Sequence, residues 1–174
     1  MSRVILSAIA LCLLSTNLVE AAPRKKVQVF ILAGQSNMEG HGTITANTAQ
    51  NNGQGSLEYL VKQAENAERY EHIIHPDGTW AKRSDVWIEY LGRKGELSVG
   101  YGAREHLFGP ELQFGHVVGN HFKEQVLIIK TAWGGKSLAV DFRPPSSGGK
   151  LGPFYTEMVN HVKQVLTDLD THFP

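Results

Sequence analysis

Val27-Gln28-Val29-Phe30-Ile31-Leu32-Ala33-Gly34-Gln35-Ser36-Asn37-Met38-Glu39-Gly40 is a continuous apolar run that stops at a glycine, with a serine two residues later. Apolar without clean alternation, Val27 to Ala33 reads as a strand covered on both faces, as in a parallel sheet. A strand that breaks at Gly34 lifts the next polar side chain out of the sheet edge. Open α/β sheets hold their reactive groups at that edge. Ser36 is therefore a nucleophile candidate on a sharp turn. The competing reading is a helix N-cap, for which serine is well suited.

The same texture returns at Gln125-Val126-Leu127-Ile128-Ile129-Lys130-Thr131-Ala132, which ends at Gly134-Gly135. Two such runs separated by helical pattern predict neighbouring parallel strands. Three helices are expected between and after them. Ser56 to Tyr70 opens on a capping serine. Pro110 opens a second helix, with Phe114, Val117, Val118 and Phe122 near helical spacing. Pro153 opens a third, on which Phe154, Met158, Val159, Val162, Val165, Leu166 and Leu169 form one stripe. Asp85 to Leu91 and Glu96 to Tyr101, joined by Gly92-Arg93-Lys94-Gly95, read as a β-hairpin inserted on the α/β plan. Thr43 to Gly55 is polar and glycine-rich and reads as a loop. Two strands fall short of the roughly four to six of an ordinary sheet. The expectation is an α/β domain incomplete at its C-terminus, either the N-terminal portion of a larger one or a chain that pairs with another.

Residues 1–21 read as a signal peptide. Arg3 supplies a basic start, Val4 to Leu14 an apolar stretch, and Val19-Glu20-Ala21 small residues for cleavage. The stretch is short of the roughly 20 residues of a membrane span. An uncleaved anchor is the competing reading. Cleavage predicts a secreted or periplasmic protein, residues 22–174, with no membrane association. The chain's one cysteine, Cys12, leaves with the signal, so disulfides, thiolate nucleophiles and cysteine zinc sites are excluded from what remains. Lys and Arg number 17, as do Asp and Glu, and this balance points to no nucleic-acid partner.

Gly34-Gln35-Ser36-Asn37-Met38 resembles the nucleophile block of the SGNH hydrolases, closest to the branch of sialate O-acetylesterases and family 6 carbohydrate esterases, which includes acetylxylan esterases. Phe108-Gly109-Pro110-Glu111-Leu112-Gln113-Phe114-Gly115 resembles the branch's Gly-Pro-Glu block. Lys130-Thr131-Ala132-Trp133-Gly134-Gly135-Lys136-Ser137-Leu138 resembles its glycine-pair block, and Trp80 with Arg83-Ser84-Asp85-Val86-Trp87 fits the segment between. The resemblance covers roughly residues 27 to 145. It implies a flavodoxin-like three-layer sandwich around a parallel sheet, and removal of O-acetyl groups from sialate- or xylan-type carbohydrate. It further implies Ser36 as nucleophile, and an oxyanion hole from the Ser36 N–H and a glycine N–H. Gly134 and Gly135 are both candidates for that glycine, and a tight strand exit is their structural alternative. Gln35 and Asn37 would hold the turn. Glu111 would order the site or serve its helix as a first-turn acid. No metal or organic cofactor is implied, and an acetylated carbohydrate is the implied partner.

The chain departs from the family at one point. No Asp-x-x-His occurs in it; Asp168 and Asp170-Thr171-His172 come nearest, with the wrong spacing. The family's catalytic histidine and acid, and one oxyanion donor, would lie beyond Pro174, and Ser36 without them should be close to inert. Among possible substitutes, His41 is near enough in sequence to line the site. His72 and His75 have a metal-like spacing but precede Pro-Asp-Gly and read as a surface turn. His116, His121 and His161 read as exposed or edge residues. The rival readings are an inert gene fragment or a non-catalytic carbohydrate- or partner-binding domain, with Trp80, Trp87, Tyr90, Tyr101 and Trp133 as its stacking surface.

Overall fold

The computed structural model describes residues 26–169. The signal peptide expected over residues 1–21 and the Asp170-Thr171-His172 stretch lie outside them. β1 (Val27–Gly34) leads through a single helical turn, α1 (Ser36–Glu39), and a short strand, β2 (Gly42–Thr43). Two short helices follow, α2 (Leu57–Val61) and α3 (Ala67–Tyr70), then β3 (Arg83–Tyr90), β4 (Arg93–Leu97) and β5 (Leu107–Phe108). The chain then runs through α4 (Pro110–His121), β6 (Gln125–Ala132) and α5 (Pro153–Thr167). The main sheet has the order β1-β6-β3-β4, and β2 with β5 forms a second, antiparallel pair.

β6 lies parallel between β1 and β3, in register Gly34↔Ala132 on one side and Tyr90↔Lys130 on the other. All three parallel strands thus end at one edge. The two apolar runs are neighbours, as their texture predicts. The hairpin also forms, through a turn in which Leu91 and Gly92 have φ of 47° and 91°. It is not an insertion: its first strand, β3, is a member of the main sheet, and β4 forms the edge of the sheet opposite β1. The reason lies in its side chains. Val86 and Ile88 are buried on the α4 side, while Trp87 packs on the α5 side, so β3 needs cover on both faces.

Helices on opposite faces make three layers. Leu32, Val86, Ile88, Leu97, Val118, Val126 and Ile128 form the core under α4, with Phe30, Phe114 and Phe122 packed against it. Gly115 lets α4 come close, since a Cβ there would sit 2.2 Å from Leu97 Cδ2. Leu127, Ile129 and Val165 form the smaller core under α5. The α5 stripe is only partly used: Val165 is buried, Val162 and Leu169 pack beside it, and Leu166 is exposed.

The single helix expected over Ser56–Tyr70 is broken into α2, a 3-10 turn and α3, with Gln63 extended between them. Ser56 does cap α2, accepting from the Tyr59 N–H. Val61 and Tyr70 both pack on the cluster of Leu57, Ile73 and Leu112. At about 100° per residue, a straight helix would put these two on opposite faces. The break brings both to one cluster. Within the Thr43–Gly55 segment, a 3-10 turn spans Asn51–Gly53 and Ile44 is buried.

Candidate active site

The Ser36 turn sits at the edge where the parallel strands end. The Trp133 N–H donates to Gly34 O across the ends of β1 and β6. Gln35 O then accepts from the Met38 and Glu39 N–H groups, both at 2.8 Å, and Ser36 O from the Gly40 N–H. These bonds close α1 with Ser36 as its first residue; Gln35, not Ser36, is at the N-cap, and its side chain makes no capping bond. Ser36 is half-buried, and its Oγ donates to Gln35 Oε1 at 3.3 Å. Asn37 is exposed. The turn ends at Gly40, with φ of 82°, where a Cβ would lie 2.2 Å from Gly109 Cα. That close approach brings the Gly109-Pro110-Glu111 segment against the Ser36 turn.

Gly134 and Gly135 leave β6 beside this turn, and their geometries differ. Gly135 has φ of 70° in open space, so its backbone is one that other residues adopt with strain. Gly134 is not left-handed, but a Cβ on it would lie 2.7 Å from Glu39 Oε2. The Glu39 carboxylate therefore lies over Gly134, and Glu39 Oε2 is also 3.5 Å from His41 Nε2. His41 is mostly exposed and turned to Glu39. No histidine is bonded to Ser36 among the described residues.

Lys130 lies beneath the turn. It continues the Val126, Ile128 series toward α4 and is fully buried. Its three ammonium hydrogens have three acceptors: Glu39 O at 2.8 Å, Tyr101 O at 2.6 Å and Glu111 Oε2 at 2.6 Å. Glu111 is also fully buried, and its Oε1 accepts from the Gly109 N–H at 2.7 Å. Glu111 thus caps α4 and joins the site's foundation at once. Burial pushes the Glu111 carboxyl up and the Lys130 ammonium down, while each partner's charge opposes that push. The Tyr90 ring lies 4.5 Å below the ammonium, and its hydroxyl donates to Ala132 O. Burial and the nearby Glu39 charge push the Tyr90 hydroxyl up to about 12.

Sequence reasoning missed Lys130 and Glu39. A lysine within Val126–Ala132 was the available signal, because a charge in a buried strand requires a partner. Glu39 carried none, since its place over Gly134 depends on how two loops meet.

The remaining candidates separate. His75 is exposed in a turn, as expected. His72 Nε2 bonds Gln113 Oε1 at 2.8 Å, and its ring stacks edge-on against His116 at 4.9 Å. Among the described residues no group of three or more His, Cys, Asp or Glu is placed to hold a metal. His116 is not an exposed residue but 3% accessible, because Gly115 and Gly119 press α4 onto the sheet. Burial, then the neighbouring His72 and Arg83, lower its pKa to about 4. His161 is half-buried on the α5 side, and burial lowers its pKa as well. The five aromatics do not share a surface. Trp87 packs under α5, Tyr90 is buried, and Trp133 stacks on Phe154 and Phe142. Trp80 and Tyr101 together line an open groove.

A sequence model of the family described as carbohydrate esterase, sialic acid-specific acetylesterase, matches residues 26–172. No curated protein matches the chain. The X-ray structure of a protein from Arabidopsis thaliana is similar to it at 18% identity and a TM-score of 0.47, covering 78% of this chain and 50% of that one. The chain spans about half the length of that structure.

Proposed function

The chain belongs to the carbohydrate esterase family of sialic acid-specific acetylesterases, and we propose that it carries the nucleophile half of a serine esterase acting on O-acetylated carbohydrate. The observation that supports this most is the place of Ser36: first residue of α1, at the sheet edge, beside the exit of β6 at Gly134. In this reading Ser36 Oγ attacks the acetyl carbonyl carbon while a base takes its proton. The Ser36 N–H and that of Gly134 or Gly135 receive the charge on the carbonyl oxygen. The sugar hydroxyl leaves with the proton, and water then frees acetate from Ser36. Gln35 and Asn37 order the turn, and Glu111 orders it from below through Lys130.

The base and its orienting acid come from outside this chain, from further sequence or a partner. Support lies in the Ser36 hydroxyl bond to Gln35 and in the absence of Asp-x-x-His. The protein is secreted or periplasmic in this reading, through residues 1–21, and requires no metal or organic cofactor. No helix among the described residues is long and apolar enough to cross a membrane.

Chemical rescue tests the proposal. The chain alone should turn over p-nitrophenyl acetate no faster than Ser36→Ala. Added imidazole can act as the missing base, and it should then give acetyl transfer to Ser36 from an O-acetylated sialic acid, detected by mass spectrometry. Failure of rescue, or equal rescue in Ser36→Ala, removes the nucleophile assignment. Ser36-dependent turnover without imidazole shows instead that a base lies inside the chain.

A further inference from the structure

Trp80 stands between two open grooves. One, about 580 Å3, is lined by Lys82, Lys94, Gly95, Glu96 and Tyr101 among others. The other, about 520 Å3, includes Glu58, Lys62 and His75 in its lining. β4 is the edge strand opposite β1, so Lys94, Gly95 and Glu96 place the first groove along that edge. Glu58 is engaged by Lys62 at 2.6 Å and by the Ala46 N–H at 2.9 Å. The side chains of Lys82, Lys94 and Glu96 enter no hydrogen bond or ion pair among the described residues. Two free ammonium groups against one free carboxylate leave the first groove cationic. It is also tied to the nucleophile turn: Tyr101 O and Glu39 O share the Lys130 ammonium, and the Ala103 N–H donates to Gly40 O at 2.8 Å.

We propose that the grooves on either side of Trp80 form a binding cleft for an acidic glycan chain, whose sugar face stacks on the indole and whose carboxylate meets Lys82 and Lys94. The proposal rests on the carbohydrate reading above and adds the part of the substrate held away from the acetyl group. An aromatic wall with convergent polar groups is the usual make-up of a specific pocket. A bare strand edge can instead take up an extended peptide. Charged Lys94 and Glu96 around a glycine, on a strand of five residues, discourage that kind of addition.

Trisialic acid, neutral maltotriose and an extended valine-rich peptide, each titrated by calorimetry into the intact chain, decide between these occupants. Trisialic acid should bind at least ~10-fold more tightly than maltotriose, as expected where a charged group finds its counter-ion. The double change Lys82→Gln with Lys94→Gln, at two exposed positions, should erase that preference and leave the circular dichroism unchanged. Trp80→Phe should weaken both sugars, and Ser36→Ala neither. Equal binding of the two sugars, a preference that survives the lysine changes, or binding of the peptide in their place overturns the proposal. Glycan binding without Ser36 acetylation would remove the nucleophile reading and leave the cleft. Acetylation without glycan binding would do the reverse.

Discussion

The two faces of the sheet are built from similar residues and finished differently. On the α4 face, Val86, Ile88, Val126 and Ile128 are shut off from water, and the Lys130–Glu111 pair closes the layer beneath the Ser36 turn. On the α5 face, Leu127 and Ile129 are equally buried, yet Val29 and Ile31 on the adjoining strand are 39% and 51% exposed. The cluster that α5 closes over β6 takes in only Val27 of β1. The site is therefore fastened from one side. Glu39, Tyr101 and Gly109 belong to three separate segments, and all are tied to one lysine or its partner on the α4 face. Changes there should reach the site and cost much stability; changes at β1 on the α5 face should do neither.

The largest effect is expected at Lys130. Lys130→Met leaves Glu111 buried without its counter-charge and frees two backbone carbonyls. Loss of one partner of a buried pair costs about 3–5 kcal/mol. A urea titration should show this as an early midpoint. The double change Lys130→Met with Glu111→Leu should recover part of the loss, since no lone charge remains. If the single change costs under ~1 kcal/mol, water reaches the pair and it does not fasten the site.

Ile128→Ala probes the apolar part of the same face and should cost about 2–5 kcal/mol, the range for truncating a packed core residue. A third test uses pH. His116 is buried on α4 near His72, Arg83 and Asp85, and its folded-state pKa lies near 4, below the ordinary 6.5. The unfolded chain thus takes up this proton first as pH falls. Stability from this site is full above pH ~6.5 and declines toward pH ~4, by about 3 kcal/mol. Arg83 holds the Asp85 carboxyl below its usual range, so Asp85 stays charged over this window. His116→Gln should flatten the unfolding midpoint between those pH values; an unchanged slope would place the titration elsewhere.

How much of this was legible in the sequence divides along the same line. The buried runs of β1 and β6 declared themselves, because a strand covered on both faces is apolar throughout. Ser36 at the end of such a run marked the edge where a site could form. The place of β3 in the sheet was hidden, since its turn chemistry reads the same in an appended hairpin and in a sheet member. The burial of His116 was hidden because it depends on two glycines of α4 meeting Leu97, Val86 and Arg83. The foundation of the site, Lys130 with Glu111, joins residues 19 apart in sequence. Only a lysine inside an apolar strand pointed toward it. The aromatics misled for the reverse reason: stacking residues look alike in a list, whether they face water or α5.

The smallest effect is expected at Ile31, and it sharpens the comparison most. Ile31→Thr keeps the β-branch that suits a strand and removes apolar surface that is half in water already. Its cost should stay within ~0.5 kcal/mol, the range for surface positions. Ile128 is the same residue type on the neighbouring strand, so the ratio of the two measures how unequal the faces are. A cost at Ile31 near that of Ile128→Ala would mean that the β1 part of the α5 face is covered in solution. A midpoint that then rose with protein concentration would identify the cover as a second copy of the chain.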